Sequence, residues 1–336
     1  MKNVFYMHKI SKIGGCESFL YYLSKIYKDF VVYYKVGDPR QIERLSKNVE
    51  VHKYTKPIKC ERFFCSYGYD IQVEAKEYYH IVHYDAMGVG FTPMTNDGFK
   101  YIGVSKLACK SFEQKTGNKC ELIYNPLPIK KINAKKHNDG KVHILCATRL
   151  TSEKGGKNIQ KLASLSDDFI IDLYSNKKLF PIRKNIIQHE SKLDLTKEMA
   201  EADFVAQLSI TESFGLTPAE SLCIGTPVIV TDLPAFKEIG CKHGENAVIC
   251  NLDMSNVDVE MIKKGLPKFT YKPPKSTWDK YLSKESDYNP NDLITIRTKR
   301  RLYDVEKNEH YKYNEITQMT KARASYMEAL DYVEVL

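Results

Sequence analysis

The sequence predicts an α/β fold: two parallel-sheet halves facing one another across a cleft, followed by a small extra module. Three observations carry that expectation. Short apolar runs alternate with amphipathic helical patterns over most of the chain, as parallel strands joined by crossover helices do. The polar, lysine-rich stretch Ile129–Lys141 (IKKINAKKHNDGK) interrupts the alternation and reads as a solvated connector. A strand–loop–helix–strand pattern across residues 204–231 leaves the free N–H groups of a helix N-terminus facing strand carboxyl ends, where anionic ligands bind. The expected units are residues 1–130, 131–266, a crossover segment 267–288 and a module at 289–336.

Taken in order, Val4–Met7 reads as a first buried strand, and Gly14-Gly15 leads into an amphipathic helix carrying Phe19, Leu20, Leu23 and Ile26. Strands are expected at Phe30–Lys35 and Val49–His52, with a short helix at Pro39–Ser46 between them. Phe63–Ser66, Ile81–Tyr84 and Tyr101–Val104 read as further strands or strand ends. Ser105 is placed to cap a helix over Lys106–Thr116, and Leu122–Tyr124 closes the first half.

A second α/β pattern follows the connector. Val142–Ala147 and Phe169–Tyr174 are strands, with Asn158–Ser164 in a helix between them. Leu195–Glu201 is helical, and Phe204–Leu208, within the apolar run Phe204–Ile210, is the strand entering the most informative stretch, Ser209–Glu238. In that stretch Thr217 is expected at a helix N-cap, Pro218 at the first helical position and Glu220 at the third, a capping-box arrangement. Gly225 ends the helix, and Pro227 leads into the strand Val228–Thr231. A turn and short strand are expected within Cys241–Cys250.

Beyond Gly265 the composition changes. Lys268–Ser276 is rich in Lys and Pro, and Trp278–Leu282 reads as a short helix. From Asp292 the pattern is a hairpin turning near Glu306–Glu309, then a helix over Lys321–Leu330 capped by Thr320, then a strand over Tyr332–Leu336: a ββαβ unit.

Composition bounds the function. With 336 residues and 43% hydrophobic content the chain supports two ordinary domains, and a mean hydropathy of -0.43 suits a soluble protein. No run approaches the roughly 18 apolar residues of a membrane span, and the N-terminus MKNVFYMHKI lacks a signal-peptide core. Nine cysteines are scattered without zinc-ligand spacing, as expected of reduced thiols in a cytoplasmic protein. The formal charge of +9 suits an anionic ligand, an acidic polymer or weak contact with an anionic membrane surface.

Several residues could carry chemistry. A Gly14-Gly15 pair between first strand and first helix lets the backbone approach a phosphate, or simply makes a tight turn. Arg149 and Lys154 follow the strand ending at Ala147 and could both aim at one diphosphate, as a planar fork and a point charge; alone they also read as solvated loop cations. Glu212 could be a strand-end carboxylate, and Glu220 could serve only its own helix cap.

In combination these pieces resemble the retaining glycosyltransferases of family 4, with the two-Rossmann-domain GT-B architecture. The matching elements run in the family's order: Gly14-Gly15-x-Glu17, Val104-Ser105-Lys106, Tyr124-Asn125-Pro126, Arg149-x4-Lys154-Gly155, Glu212-Ser-Phe-Gly215-Leu-x3-Glu220 and Gly225-x-Pro227-Val228, with Glu238 downstream. The resemblance covers residues 1 to about 282. It implies that Arg149 and Lys154 hold the diphosphate of a nucleotide-sugar donor, UDP being the expected nucleotide. Glu220 would bond the ribose hydroxyls, and Glu212 would lie beside the sugar. The backbone of Phe214, Gly215, Leu216 and Thr217 would contact sugar and phosphate, with Gly14 and Gly15 approaching from the other domain. His83 would stand near acceptor and transferred sugar, and Asp85 is a weaker candidate beside it. No Asp-x-Asp occurs, in keeping with an expected mechanism without metal or other cofactor.

The sequence departs from that family at Tyr174-Ser175-Asn176, which replaces a glycine-rich turn near the nucleobase. The last fifty residues resemble a small module found at the ends of bacteriophage-encoded proteins, which implies a phage protein acting in the host cytoplasm and a module that docks to a protein partner or covers the first domain. The acceptor could be a glycan, a protein or modified DNA. The competing readings are a non-catalytic nucleotide-sugar-binding module docked to a phage or cell-surface partner, and an epimerase of the same fold.

Overall fold

The apolar run at Val4–Met7 is the centre of a longer strand, β1 (Asn3–Ile10), because its flanks find parallel partners on both sides. The computed structural model describes residues 1–88, 90–179, 182–285, 287–305 and 307–336. Around β1 gather β2 (Phe30–Gly37), β3 (Glu50–Lys53), β4 (Ile58–Cys65), β5 (Val73–Val82), β6 (Phe99–Gly103) and β7 (Cys120–Leu122). They form one parallel sheet in the order 3-2-1-4-5-6-7. Three helices complete this half: α1 (Gly15–Ile26), α2 (Pro39–Ser46) and α3 (Lys106–Thr116). The side chain of Asp38 accepts the amides of Arg40 and Gln41 at the start of α2, and Ser105 accepts that of Ala108 at the start of α3. A left-handed Gly117 ends α3.

The second half repeats the plan. It comprises β8 (Val142–Ala147), α4 (Gly156–Ser164), β9 (Phe169–Ser175), β10 (Ile186–Glu190), α5 (Thr196–Glu201), β11 (Phe204–Gln207), α6 (Leu216–Ile224), β12 (Val228–Thr231), α7 (Pro234–Glu238), β13 (Ala247–Cys250) and α8 (Val259–Lys264). Its strands lie parallel in the order 10-9-8-11-12-13. The strand expected over Phe204–Leu208 ends one residue early, at Gln207, and by Ile210 the chain has turned outward, that side chain being nearly half exposed.

The expected capping box on α6 does not form. Gly215, left-handed at φ 85°, is the N-cap and Leu216 is the first helical residue. Thr217 and Pro218 are therefore the second and third residues, and no side chain among the described residues caps the helix. The left-handed turn starts the helix two residues earlier than the Thr-Pro pair suggests, which releases the Glu220 carboxylate from its own helix terminus.

After α8 the chain returns to the first half. Trp278, in a 3₁₀ turn, is fully buried against Phe5, Phe19 and Phe64. The terminal module contains β14 (Leu293–Thr298), β15 (Leu302–Asp304), β16 (Glu309–Tyr311), β17 (Ile316–Thr320), α9 (Lys321–Ala329) and β18 (Val333–Val335). The sheet order is 17-14-18, all antiparallel, so the expected ββαβ unit carries an extra β15–β16 hairpin between its first two strands. Glu306, expected in the hairpin turn, lies outside the described residues. Thr320 caps α9 as expected. The module covers the α2–β3 flank of the first half: Ser325 Oγ donates to Val51 O at 3.2 Å, and Ser46 Oγ donates to Ala322 O at 3.3 Å.

Candidate active site in the interdomain cleft

In each sheet the strand order reverses next to its first strand: between β1 and β4 in one, between β8 and β11 in the other. Loops leaving the carboxyl ends at such a switch point form a crevice suited to ligands. Here the two crevices face each other and enclose a cleft of about 880 Å³. Eleven residues singled out in the sequence, Gly14, Gly15, His83, Arg149, Lys154, Glu212, Phe214, Gly215, Leu216, Thr217 and Glu220, line it, as does the weaker candidate Asp85.

Lys154 and Arg149 lie on the loop after β8. Lys154 Nζ donates to Glu212 Oε1 at 2.7 Å, and both side chains are largely buried. The same oxygen accepts from Ser209 Oγ at 2.9 Å and Gln207 Nε2 at 3.3 Å. Three donors on one oxygen fix the carboxylate and, through it, the ammonium. The turn is held by Gly155, left-handed at φ 71°, where a Cβ would collide with the carbonyl oxygen of Leu208. Arg149 is exposed, and its charge acts on Cys16 and Tyr67 of the first half. Burial pushes the Cys16 thiol up to about 12, an effect the Arg149 charge partly offsets.

The N-termini of α1 and α6 approach from opposite walls. A Cβ on Gly15 would stand 3.7 Å from Leu216 Cδ1, so these helix starts are near neighbours across the cleft. Both present free amides and the positive ends of their dipoles. Gly14 is held open by Glu17, whose buried carboxylate accepts the Ser11 amide at 2.7 Å and occupies the space a Cβ would need.

His83 follows β5. Its Nε2 is 3.2 Å from Ser66 Oγ, its ring packs edge-on to Phe19 at 5.0 Å, and its carbonyl accepts Ser213 Oγ at 2.6 Å. Burial, with a smaller contribution from His80, pushes its pKa down to about 3. A ring of that kind is neutral at physiological pH and a poor proton acceptor. The wall beyond it is aromatic. Tyr84 stacks on Tyr67 at 6.4 Å and meets Phe91 edge-on at 5.0 Å, and the outer two rings are about half exposed. Lys115 Nζ pins this wall by donating to the carbonyls of Ala86 and Phe91.

Glu220 faces the first half. Tyr22 Oη donates to its Oε1 at 2.8 Å. Burial raises the carboxyl's pKa, with the Tyr22 bond and the Arg44 charge opposing. A third link between the halves joins Glu238 Oε1 to the Lys106 amide at 2.7 Å, so the carboxylate sits at the α3 N-terminus. Among the described residues no three His, Cys, Asp or Glu side chains are grouped to hold a metal ion.

This geometry has known relatives. Residues 129–276 match the family model "Glycosyl transferases group 1". No curated protein sequence matches the chain. The fold is GT-B. It is similar to that of Anabaena Alr3699/HepE, solved in complex with UDP and glucose, at a TM-score of 0.59 and 16% identity over 79% of this chain and 89% of that one. A glycosyltransferase from Rickettsia africae ESF-5 aligns at a TM-score of 0.54 and 13% identity, over 74% of this chain and 84% of that one. WaaG, a glycosyltransferase involved in lipopolysaccharide biosynthesis, aligns at 0.52 and 12%, over 78% and 89%.

Tyr22, Ser213, Gln207 and Ser209 are site residues the sequence reading missed. Gln207 left a signal, a polar side chain closing the otherwise apolar strand Phe204–Gln207. Tyr22 left none, since its partner lies 198 residues away.

Proposed function

We propose that this protein is a retaining glycosyltransferase of family 4 type, moving a hexosyl or N-acetylhexosaminyl unit from a UDP-linked donor to an acceptor hydroxyl. The observation that carries the proposal is the convergence of Lys154, Arg149 and the α6 N-terminus at the second sheet's switch point, opposite the α1 N-terminus. Two cations and two helix N-termini aimed at one volume suit a diphosphate leaving group. Such preorganised groups stabilise charge as it develops, without a metal being required of this chain's residues.

In this reading the bond between the anomeric carbon and the diphosphate breaks, and the electron pair leaves with the phosphate. The acceptor hydroxyl attacks from the same face, and its proton passes to a departing phosphate oxygen. His83, neutral and weakly basic, positions sugar and loop. Glu212, fixed by its three donors, lies beside the sugar, and Glu220 takes the ribose. The backbone of Phe214, Gly215, Leu216 and Thr217 contacts sugar and phosphate. The nucleobase falls near Tyr174, Ser175 and Asn176, which line the same cleft.

For the acceptor, the aromatic wall of Tyr67, Tyr84 and Phe91 favours a glycan, whose apolar ring face stacks on an aromatic side chain while its hydroxyls stay polar. The similarity of the fold to that of Alr3699/HepE, solved with UDP and glucose, supports a UDP-linked donor.

The test is a donor screen. Thermal shift with UDP-, GDP- and ADP-sugars, followed by release of sugar from the one that binds, should single out a UDP-sugar. Binding without turnover toward any glycan would favour a non-catalytic module instead, and no binding would remove the nucleotide-sugar reading.

A further inference from the structure

Tyr22 and Glu220 stand on opposite walls of the cleft, on α1 and α6, and meet in a hydrogen bond of 2.8 Å. Both line the cleft volume. The phenol is an O–H donor placed on a carboxylate oxygen, the same chemistry a sugar hydroxyl offers. Tyr22 is held there by its surroundings: the neighbouring Tyr21 ring is 5.7 Å away and carries the Arg44 guanidinium over its face at 3.3 Å.

A ribose presents two vicinal cis hydroxyls. Two such O–H groups match the two oxygens of one carboxylate. Tyr22 and Glu220 both line the cleft, and the phenol stands 2.8 Å from Oε1 in the space one hydroxyl of that pair would need. We propose that Tyr22 is a stand-in for the donor's ribose: its hydroxyl latches the two domains through Glu220, and a ribonucleotide must displace it to bind Glu220 with both hydroxyls. The inference rests on the nucleotide-sugar reading above and adds a specificity element to it. Displacement taxes every ribonucleotide by the latch's population, and the tax disappears when the latch is removed. A nucleotide with a single ribose hydroxyl bonds the other oxygen, Oε2, and leaves Tyr22 in place.

The experiment measures UDP and 2′-deoxy-UDP binding by titration calorimetry to the full chain and to Tyr22→Phe, with GDP and ADP in parallel. A hydrogen bond to a charged group is strong enough that its loss should tighten UDP binding about tenfold, with 2′-deoxy-UDP unchanged within twofold. In a Glu220→Gln background the Tyr22→Phe gain should vanish, because the latch and the diol site share that carboxylate. Unchanged or weaker UDP binding in Tyr22→Phe would overturn the latch, as would an equal gain for both nucleotides, which would mark a generally loosened cleft. Failure of both proteins to bind UDP, GDP or ADP would overturn the donor reading, and the latch with it.

Discussion

The ammonium of Lys154 and the carboxylate of Glu212, 58 residues apart in the chain, stand 2.7 Å from one another at the carboxyl ends of adjacent strands. The pair holds a cation where the proposed leaving group gathers charge, and the Ser209 and Gln207 donors keep Glu212 in place if the lysine is lost. Lys154→Ala should therefore keep its fold, with a melting temperature only a few degrees lower. Its turnover should fall at least about a hundredfold, since one preorganised group is worth roughly 2.7–4 kcal/mol in the transition state. Steady-state kinetics on the donor found in the screen decides this, and near-wild-type turnover would sink the assigned role.

Gly155 behaves differently, because its defect is in the backbone. Its φ of 71° disfavours any side chain, and a Cβ would meet the fixed carbonyl of Leu208. Gly155→Ala should cost about 2–4 kcal/mol or more of stability, readable as a lowered denaturant midpoint. A wild-type midpoint would mean that the turn relaxes freely. Comparing this variant with Lys154→Ala separates a loss of chemistry from a loss of the turn that aims it.

Much of the fold was legible because its signals are local. Asp38-Pro39, Ser105 with Gly117, and Thr320 each mark a helix end through a side chain or a glycine, and those ends fall where the sequence put them. The misread start of α6 has a definite cause: Thr217-Pro218 imitates a cap, while a left-handed Gly215 supplies the real one. Strands β4 and β5 run longer than their apolar cores because their first halves alternate exposed and inward residues at the sheet's amino-terminal edge. The strand β10 was missed because, at the edge of its sheet, it needs little apolar content: IIQHE. The site was legible as a set of loops. Its cross-domain bonds, Tyr22 to Glu220 and Ser213 to His83, depend on how two sheets face each other, which no local pattern encodes.

The proximity of the α1 and α6 N-termini makes Gly15 a steric probe of the donor site. Its missing Cβ would lie 3.7 Å from Leu216 Cδ1, an ordinary contact, so alanine fits without moving the backbone. Gly15→Ala should melt within a couple of degrees of wild type. Gly15→Val fills the gap between the helix starts and should weaken UDP binding at least tenfold while leaving the circular dichroism spectrum unchanged. Equal affinity in both variants would place the phosphates elsewhere in the cleft.

The buried histidines set the acid response. His80 is fully buried with neither ring nitrogen hydrogen-bonded among the described residues, and burial pushes its pKa down to about 4; His83 is pushed to about 3. Unfolded histidine titrates near 6.5, so between these values the unfolded chain binds more protons than the folded one. Stability is then complete above about pH 6.5 and is lost as pH falls toward the folded values. For His80 the loss between pH 7 and pH 5 should be about 2 kcal/mol. Melting curves at the two pH values should show a clear drop for the wild type and a smaller one for His80→Leu, which has no proton to gain. Activity should follow a different course, because the His83 ring stays neutral throughout the range where the protein is folded. The kcat/KM profile should show no acid limb near pH 6.5. A limb there that disappears in His83→Gln would overturn the neutral positioning role and return His83 to proton transfer.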